Sequence, residues 1–387
     1  MDPIIVNNVR EREDLSEAID ILMLKDDDMK YLSFVRFLGT IAKVFGKKVT
    51  AQKHEWLDDA ARAESISVQA SGDGADWDTN NDITDLPVVT AECNKLRVGD
   101  MLLLDQDEVV IVAVVDTAAQ TIDLIARGHG STSADVLDHA TAHTCYIIGN
   151  AQIEDGDPID PNHTTQTAGY NYTQIFEDVA QISGTLRRSK AVGGDHLDFQ
   201  VVKKLKEQLK SLNYAISEGI RDVDTTNKIS TMGGLREFIT NTSNVAAALS
   251  KAKIYAAVVS HIDAGLYPSA IHASPDKIGD IEQLYEASIR TSPETSRFGT
   301  KIKTITVLGY DIELHPDKHV RAVEALILDY NRCAYGYLDG GTKGESGRFS
   351  TYPIPQKRNG KQISTQVLGE YTLRASNGGG TRMYAIS

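Results

Sequence analysis

One uninterrupted helical pattern constrains this chain more than any other feature of its sequence. In "GGDHLDFQVVKKLKEQLKSLNYAISEGIRD", apolar side chains recur every three or four residues and no proline interrupts them. Asp198 stands at a suitable N-cap position, so we predict a helix over Phe199–Asp222. Its roughly 24 residues would span about 36 Å. The predicted apolar stripe consists of Val202, Leu205, Leu209, Leu212, Ile216 and Ile220.

The segment from residue 96 to about residue 150 has a different pattern, in which short β-branched runs alternate with turn residues. We predict strands near Met101–Leu104, Glu108–Val115 and Thr121–Ala126, followed by a fourth strand in "HTCYIIGNA". This pattern indicates a small β-rich module that is inserted into a larger domain.

The rest of the chain mixes helices and strands without strict βαβ alternation, which favours an α+β fold. "YLSFVRFLGTIAKVF" carries a helical stripe, and "HEWLDDAARAE" is typical of a strand that leads into a helix. Helices are also predicted in "VAAALSKAKIYAAVVSHIDAG" and in "SPDKIGDIEQLYEASIR", where Ser274 is the cap and Pro275 the first helical residue. "PSAIHA", "ALILDYNRCAYGYL" and "QVLGEYTLRAS" predict strands, and "KTITVLGYDIEL" predicts a hairpin that turns at Leu308–Gly309.

No catalytic motif is present: the chain lacks G-x-S-x-G, G-x-x-x-x-G-K-[ST], G-x-G-x-x-G and H-E-x-x-H. His139, His143 and Cys145 have a zinc-like spacing, but they lead into a strand and lack a clear fourth ligand, so surface histidines are favoured. His315 and His319 repeat this spacing with a proline between them, and they support a metal site no better. We therefore predict no catalytic, cofactor-binding or metal-binding residues.

Two charged segments could bind ions, and for both a plain solvated surface is favoured. The acidic loop "DGADWDTNND" contains Asp73, Asp76, Asp78, Asn80 and Asp82. No register of this loop supplies both the glycine and the glutamate of an EF-hand. The lysine row of the long helix consists of Lys203, Lys204, Lys206 and Lys210. We favour a solvated or intersubunit face over phosphate binding, because Glu207 and Glu218 dilute the row and no aromatic side chain is interleaved with it.

Composition excludes several classes of protein. An apolar fraction of 41% supports a real core, and 387 residues suggest two or three domains. The net charge of −14 argues against a general DNA-binding protein, because such binding depends on lysine and arginine. Three cysteines far apart in sequence fit a reducing compartment. With no signal pattern and no long apolar run, we expect a soluble protein made in the cytoplasm.

Residues 1–30 are highly charged, and their apolar pattern is thin. A charged arm and long loops cost conformational entropy on a lone subunit. These features are typical of a self-assembling protein, in which a neighbouring subunit holds such segments in place.

Five further segments of the chain are informative when taken in order. They are "YNYTQIFEDVAQISGTLR", "GGDHLDFQVVKKLKEQLKSLNYAISEGI", "STMGGLREFI", "ALILDYNRCAYGYLDGG" and "VLGEYTLRASNGGGTRMYAIS". Together they resemble the major capsid proteins of tailed bacteriophages with the Hong Kong 97 fold. The resemblance covers most of residues 30–387 and is strongest in the order of the segments. The chain is most similar to the branch of this family with a β-rich insertion in the extended loop.

The resemblance implies an α+β fold with an N-terminal arm, an extended loop, a spine helix, a peripheral domain and an axial domain. The stretch from Tyr170 to Arg187 would be the returning limb of the extended loop, with polar side chains that pair with a neighbouring strand or subunit. The implied division is 1–30 for the arm, 31–95 for the start of the peripheral domain and the outgoing loop, 96–150 for the inserted module, 151–195 for the returning limb, 196–240 for the spine helix and peripheral domain, 241–335 for the axial domain, and 336–387 for the C-terminal strands that return to the peripheral and axial sheet.

The function implied by this resemblance is structural, without catalysis or cofactor. Pentamers and hexamers would close into an icosahedral head shell around double-stranded phage DNA. The implied partners are further copies of the chain, with portal, scaffold, maturation protease and cement proteins, and DNA by non-specific proximity; no membrane is involved. The protein would be made in the host bacterial cytoplasm and reside in the virion. Two alternatives stay open: another virion component such as a tail tube or decoration protein, and a metal-dependent hydrolase that uses the acidic loop.

Overall fold

The computed structural model describes two compact units. One unit is Met1–Asp58 together with Ala168–Ser387, and the other is Asp59–Thr167. The predicted module at 96–150 lies within the second unit. The described residues are 31–59, 64–68, 83–89, 93–103, 109–125, 129, 143–152, 154, 166–185, 196–285, 290–297, 300–339, 346–354 and 362–386. The N-terminal arm and the acidic loop therefore lie outside the described residues.

Helices and strands are distributed over the whole described chain, as expected for an α+β protein. The helices are α1 Ser33–Phe37, α2 Ile41–Val44, α3 His196–Glu218, α4 Leu235–Phe238, α5 Lys251–Asp263 and α6 Pro275–Leu284. The strands are β1 Gly39–Thr40, β2 Lys53–Asp58, β3 Ser65–Val68, β4 Ile83–Pro87, β5 Asp100–Leu103, β6 Val109–Asp116, β7 Thr121–Ile125, β8 His143–Asn150, β9 Thr167–Tyr172, β10 Gln174–Ser183, β11 Asp222–Asp224, β12 Ile229–Thr231, β13 Asn241–Asn244, β14 Ala270–Ala273, β15 Arg290–Arg297, β16 Thr300–Val307, β17 Tyr310–Pro316, β18 Ala325–Leu328, β19 Cys333–Tyr337, β20 Ser350–Ile354, β21 Gln362–Ala375 and β22 Gly380–Tyr384.

The long helix α3 is present, with boundaries that differ from the predicted ones. It begins three residues before Phe199 and ends four residues before Asp222, and Asp198 lies in its first turn instead of at the cap. The helix ends early because Gly219 follows it, and residues from Asp222 onward pair as the hairpin β11–β12.

At the start of α3, the buried apolar stripe is shifted by about one residue relative to the predicted stripe. Val201 is buried where Val202 was predicted, and Ile220 lies beyond the helix with 75% of its surface exposed. Within the helix, the buried stripe consists of Leu197, Val201, Leu205, Leu209, Leu212 and Ile216. The stripe packs on the sheet formed by β10 and β21.

The single helical segment expected around residues 31–45 is instead two short helices, α1 and α2. Between them, Gly39–Thr40 forms a two-residue strand that pairs in parallel with β19. A side chain at Gly39 would lie 2.5 Å from Val44 Cγ2, so the tight break requires glycine. Helical periodicity continues through the break because both short helices bury apolar side chains.

The first sheet of the large unit has the order β1-β19-β21-β10, with β20 also paired to β21. β10 and β21 are antiparallel over ten residue pairs, from Gln174 opposite Tyr371 to Ser183 opposite Gln362. The stretch beginning at Tyr170 is thus strand β9 followed by β10. The sequence led us to expect pairing with a neighbouring strand or with another subunit. Within the described residues, β10 pairs with β21 of the same chain.

The second sheet has the order β13-β22-β18-β14-β17-β16-β15, and side chains of α5 and α6 join its core. Ser250 caps α5 by accepting from the backbone N–H of Lys253. The predicted hairpin is confirmed: β16 and β17 are joined at Leu308 and Gly309, which have φ angles of 53° and 81°. Such positive angles at both central residues match the twist of a two-residue hairpin.

The small unit is a six-stranded antiparallel sheet with the order β3-β8-β5-β6-β7-β4. A bridge between Val68 and Val88 joins the two edge strands, so the sheet closes into a barrel. Its interior is filled by apolar side chains, including Leu102, Val110 and Leu124. Closure removes the exposed edges that an open sheet of this size would present.

Candidate functional site: a buried clamp around Asp317

The residues that the sequence singled out are not brought together as a metal site. Within the described part of the chain, no three His, Cys, Asp or Glu side chains are placed to hold a metal ion. His139 lies outside the described residues, as does the side chain of His143, and Cys145 is buried in the barrel. His315 is 2% exposed and stacks on Phe37 with ring centroids 3.8 Å apart, which its pattern did not predict.

A different cluster forms around Asp317, which directly follows β17 and is fully buried. Its carboxylate accepts 2.7 Å hydrogen bonds from the backbone N–H and the hydroxyl of Ser33. Asn213 donates to both carboxylate oxygens, at 3.0 and 3.2 Å, and the backbone N–H of His319 donates at 2.7 Å. Four donors from three separate parts of the chain therefore converge on one carboxylate, and we call this arrangement the Asp317 clamp.

The clamp joins the elements that surround the point where the N-terminal arm enters the described structure. Ser33 is the first residue of α1, Asn213 lies on α3, and Asp317 directly follows β17 of the second sheet. Asn213 also accepts a 3.2 Å hydrogen bond from the backbone N–H of Val35. A buried carboxylate that satisfies this many donors fixes the positions of these elements strongly.

Hydrogen-bond geometry determines how protons are arranged beside the clamp. The hydroxyl of Ser33 donates to Asp317, because a carboxylate only accepts. His272 Nδ1, 2.7 Å from the same hydroxyl, must then donate to it, and His272 Nε2 accepts from the hydroxyl of Tyr330 at 3.0 Å. The chain of donors runs from Tyr330 through His272 and Ser33 to Asp317.

This order does not suit nucleophilic catalysis, although serine, histidine and aspartate are all present. In a catalytic triad, the histidine accepts the serine proton and the aspartate orients the histidine. Here the proton of Ser33 is directed at Asp317, His272 already holds a proton on the facing nitrogen, and all three residues have 0% exposure. The cluster is built to hold α1 in place and not to react with a substrate.

A second arrangement of side chains holds the ribbon formed by β2 and β9, the two strands next to the small unit in sequence. The Arg221 guanidinium lies 4.1 Å from the centroid of the Tyr170 ring, and that of Arg374 lies 3.8 Å from the ring of Phe45. Trp56 packs directly on the backbone at Gly169, where a Cβ atom would lie 2.4 Å from Nε1. The Arg221 guanidinium thus packs on a ring of β9, and the Trp56 ring of β2 packs on the backbone of β9; both contacts stabilise the ribbon.

Asn171 anchors the returning strand of this ribbon from within. Its side-chain amide is fully buried and donates to the carbonyl oxygens of Gly233 and Leu373 at 3.0 and 2.7 Å. Its Oδ1 accepts from the backbone N–H of Gly233 at 2.8 Å. The polar residues at the front of this stretch therefore serve packing within the chain.

Acid is expected to destabilise the fold through two histidines, the half-buried His54 and the fully buried His272. Burial, with the charges of Arg374 and Lys47, lowers the pKa of His54 to about 4, and burial beside His315 lowers the pKa of His272. Both side chains stay neutral in the folded state and gain a proton on unfolding. Their contribution to the free energy of unfolding is therefore complete above about pH 6.5, and it falls as the pH drops towards about 4.

The measurement is the urea midpoint of unfolding between about pH 7.5 and about pH 4.5. His54→Gln should flatten the pH dependence of the midpoint, because it removes a side chain whose pKa is lowered by burial. An equal pH dependence in wild type and His54→Gln would contradict this assignment.

The family whose sequence model matches this chain defines its class, the major capsid proteins of viral shells. The chain belongs to the SU10 major capsid protein family, whose model matches residues 6–381. It is therefore a structural protein of the virion with a role in the capsid shell. The predicted phage major capsid protein is confirmed by the family match, and the described helices and strands have the predicted α+β character.

Several solved structures are similar to the chain at low sequence identity. The capsid of cyanophage A-1(L) has 14% identity and a TM-score of 0.45, and covers 62% of this chain and 85% of its own. The holo-SrpI encapsulin complex of Synechococcus elongatus has 13% identity and a TM-score of 0.42, with 61% and 80% covered. The procapsid of satellite phage P4 has 10% identity and a TM-score of 0.38, with 62% and 79% covered. No curated protein sequence matches the chain.

Among the described helices, none combines the length and the apolar character that crossing a bilayer requires.

The clamp residues were missed by sequence reasoning because Ser33, Asn213, His272 and Asp317 form no motif. Ser33 and Asp317 are 284 positions apart. The one available signal was the polar Asn213 next to the apolar stripe of α3, where a buried amide needs partners.

Proposed function

We propose that many copies of this chain form pentamers and hexamers that close into an icosahedral head shell around double-stranded phage DNA. The observation that carries the proposal is the match of the capsid family over residues 6–381. Portal, scaffold, maturation protease and cement proteins are the further partners, and DNA lies against the shell by non-specific proximity. The subunit is made in the host bacterial cytoplasm before it enters the virion.

We assign the domains of the proposed capsid subunit from the two sheets of the large unit. The sheet that packs on α3 belongs to the peripheral domain with α3 as the spine helix, and the seven-stranded sheet belongs to the axial domain. The ribbon β2–β9 is the base of the extended loop, and the barrel is the inserted module. Residues 1–30 are the N-terminal arm.

Two features of the single subunit support assembly with further copies. Ile220 and Ile229 near the hairpin, and Leu57 on the ribbon, are 75%, 57% and 63% exposed. Large apolar side chains exposed in this way favour burial against another surface. Within the described residues, β10 is the last strand of its sheet, and an edge strand can accept an added strand.

Electron microscopy of the expressed protein tests this function. We expect closed shells of uniform diameter, since many modest contacts raise each other's effective concentration during closure. Open tubes would instead indicate a tail tube protein, and particles that bind only to preformed shells would indicate a decoration protein.

Deletion of residues 1–30 is expected to abolish most shell formation and to leave the subunit folded. The arm precedes the clamp at Ser33, so its removal spares the described core. The measurements are shell yield by sedimentation and the thermal midpoint of the subunit. A matched control replaces residues 1–30 with a scrambled sequence of the same composition, which should also fail to assemble. Normal shells from the deletion would contradict a role for the arm.

A further inference from the structure

The long helix α3 has a second stripe of side chains, which is basic and aromatic, whereas its buried stripe is aliphatic. Phe199, Lys203, Lys206, Lys210 and Tyr214 follow each other at intervals of three or four residues, so they share one face. Phe199 is 65% exposed and Tyr214 is 54% exposed, and Lys203 is exposed between them. No aromatic side chain is interleaved with the lysines, as the sequence indicated, but one aromatic side chain stands at each end of the row. We call these five residues the spine stripe.

The composition of the spine stripe favours an acidic and partly apolar occupant. Lysines attract carboxylates or phosphates, but an exposed Phe199 gains nothing from the phosphate backbone of a DNA duplex. A polypeptide with both acidic and apolar side chains would satisfy the lysines and cover the two rings. The net charge of −14 also makes this chain a poor general partner for nucleic acid.

Residues 1–30 of the chain have the required composition. They contain nine carboxylate side chains against four basic ones. Leu15, Ile19 and Leu22 recur at four and three residues, which is the spacing of one helix face. An acidic segment with one apolar face is complementary to a basic stripe that ends in aromatic rings.

The arm also enters the described structure beside one end of the spine stripe. The carbonyl oxygen of Tyr31 accepts a 3.4 Å hydrogen bond from the backbone N–H of Lys318, and the Lys318 ammonium lies 4.6 Å from the Tyr31 ring centroid. The next residue, His319, packs edge-on against Tyr214 at 5.2 Å. Residue 30 is therefore joined to the chain close to the Tyr214 end of the stripe.

The length of the arm is sufficient to follow the whole stripe. From Phe199 to Tyr214 the helix rises about 22 Å, whereas thirty residues span about 45 Å even when helical. An arm that is tethered at one end binds its own helix at a high effective concentration, so modest contacts suffice.

We propose that, in the unassembled subunit, the acidic N-terminal arm of the chain docks along the spine stripe of its own α3 helix. The arm covers Phe199 and Tyr214 and pairs its carboxylates with the lysines. This proposal concerns the free subunit and does not require that shells form.

Photo-cross-linking of the full-length subunit at low concentration tests the docking directly. Phe199→p-benzoylphenylalanine should give, after irradiation and mass spectrometry, a cross-link to residues 1–30 at the mass of one chain. A cross-link to the arm of a second chain would overturn the proposal, as would one to other residues only. Preferential cross-linking to added duplex DNA would identify the stripe as a nucleic-acid surface and would also overturn it.

Charge reversal gives an independent readout. The triple variant Lys203→Glu, Lys206→Glu and Lys210→Glu should accelerate cleavage of the arm by a glutamate-specific protease about tenfold, the effect of losing about 1.4 kcal/mol of docking. The control Lys43→Glu, Lys228→Glu and Lys253→Glu makes the same charge change on other elements and should leave the rate unchanged. Equal cleavage rates in both variants, at an unchanged melting midpoint, would overturn the proposal. Shell yield is scored separately, so that failure of docking and failure of assembly can be told apart.

Discussion

Asp317→Ala is expected to lower the free energy of unfolding by about 4 kcal/mol, the largest effect of any single polar substitution we propose. The substitution leaves the Ser33 backbone N–H, the Ser33 hydroxyl and the Asn213 amide without their shared acceptor in a site closed to water. An unsatisfied buried donor costs about 1–3 kcal/mol. Both donors of Ser33 would lose their acceptor together, and the Asn213 amide nitrogen would keep only its contact with His319 Nδ1. Urea unfolding followed by circular dichroism measures the loss.

Two further variants separate the clamp from general effects of charge. Asp317→Asn keeps the size and one acceptor oxygen but turns an amide donor towards other donors, so we expect roughly half of the loss. Asp311→Ala removes an exposed carboxylate on the same strand, bonded to Thr306 alone in the described contacts, and should cost less than about 1 kcal/mol. A loss below about 1 kcal/mol for Asp317→Ala would show that the clamp does not hold α1.

Gly234→Ala is expected to destabilise the subunit by about 3 kcal/mol, because two backbone segments meet at this residue. A Cβ atom on Gly234 would lie 2.5 Å from the backbone nitrogen of Gly219 and 2.9 Å from the carbonyl oxygen of Ala215. The backbone N–H of Gly234 also donates to the carbonyl oxygen of Gly219 at 2.8 Å. Since the atoms in the way belong to the end of α3, a rotamer change cannot relieve the contact.

A matched glycine substitution should have the opposite sign. Gly279 lies inside α6 with nothing within 4 Å of its added Cβ, so Gly279→Ala should stabilise the fold by about 0.5–1 kcal/mol. Thermal unfolding of the two variants beside wild type measures both shifts. Equal shifts would contradict the close approach of Gly234 to the end of α3.

The clamp and the glycine contact act at opposite ends of the second half of α3. Asn213 brings the helix to the N-terminal α1 and to the second sheet, while Gly219 and Gly234 bring its end to α4. Both contacts are formed within one chain. The long helix is thus held firmly at the end where the arm begins.

Local signals in the sequence were sufficient for much of the secondary structure. The hairpin at Leu308–Gly309 followed from two short strands around a glycine, and α6 began at Pro275 as expected, although the side chain of Ser274 makes no capping hydrogen bond. These features depend on residues close together in sequence, whose steric and hydrogen-bonding preferences act locally.

The helix boundaries were less well predicted because tertiary contacts decide them. Periodicity alone could not show that Gly39–Thr40 leaves the helix to pair with β19, nor that Val201 and not Val202 faces the sheet. A shift of one residue changes the hydrophobic periodicity of a helix little, but it changes which side chains are buried against the sheet.

The amino-acid sequence by itself determined the α+β character, the long helix, the order of the segments and hence the capsid family, because each rests on short-range patterns. Only the tertiary structure decided the clamp, since Ser33, Asn213, His272 and Asp317 come from distant parts of the chain and no spacing links them. The physical reason is that a buried carboxylate is stable only where donors surround it, and folding alone brings those donors together.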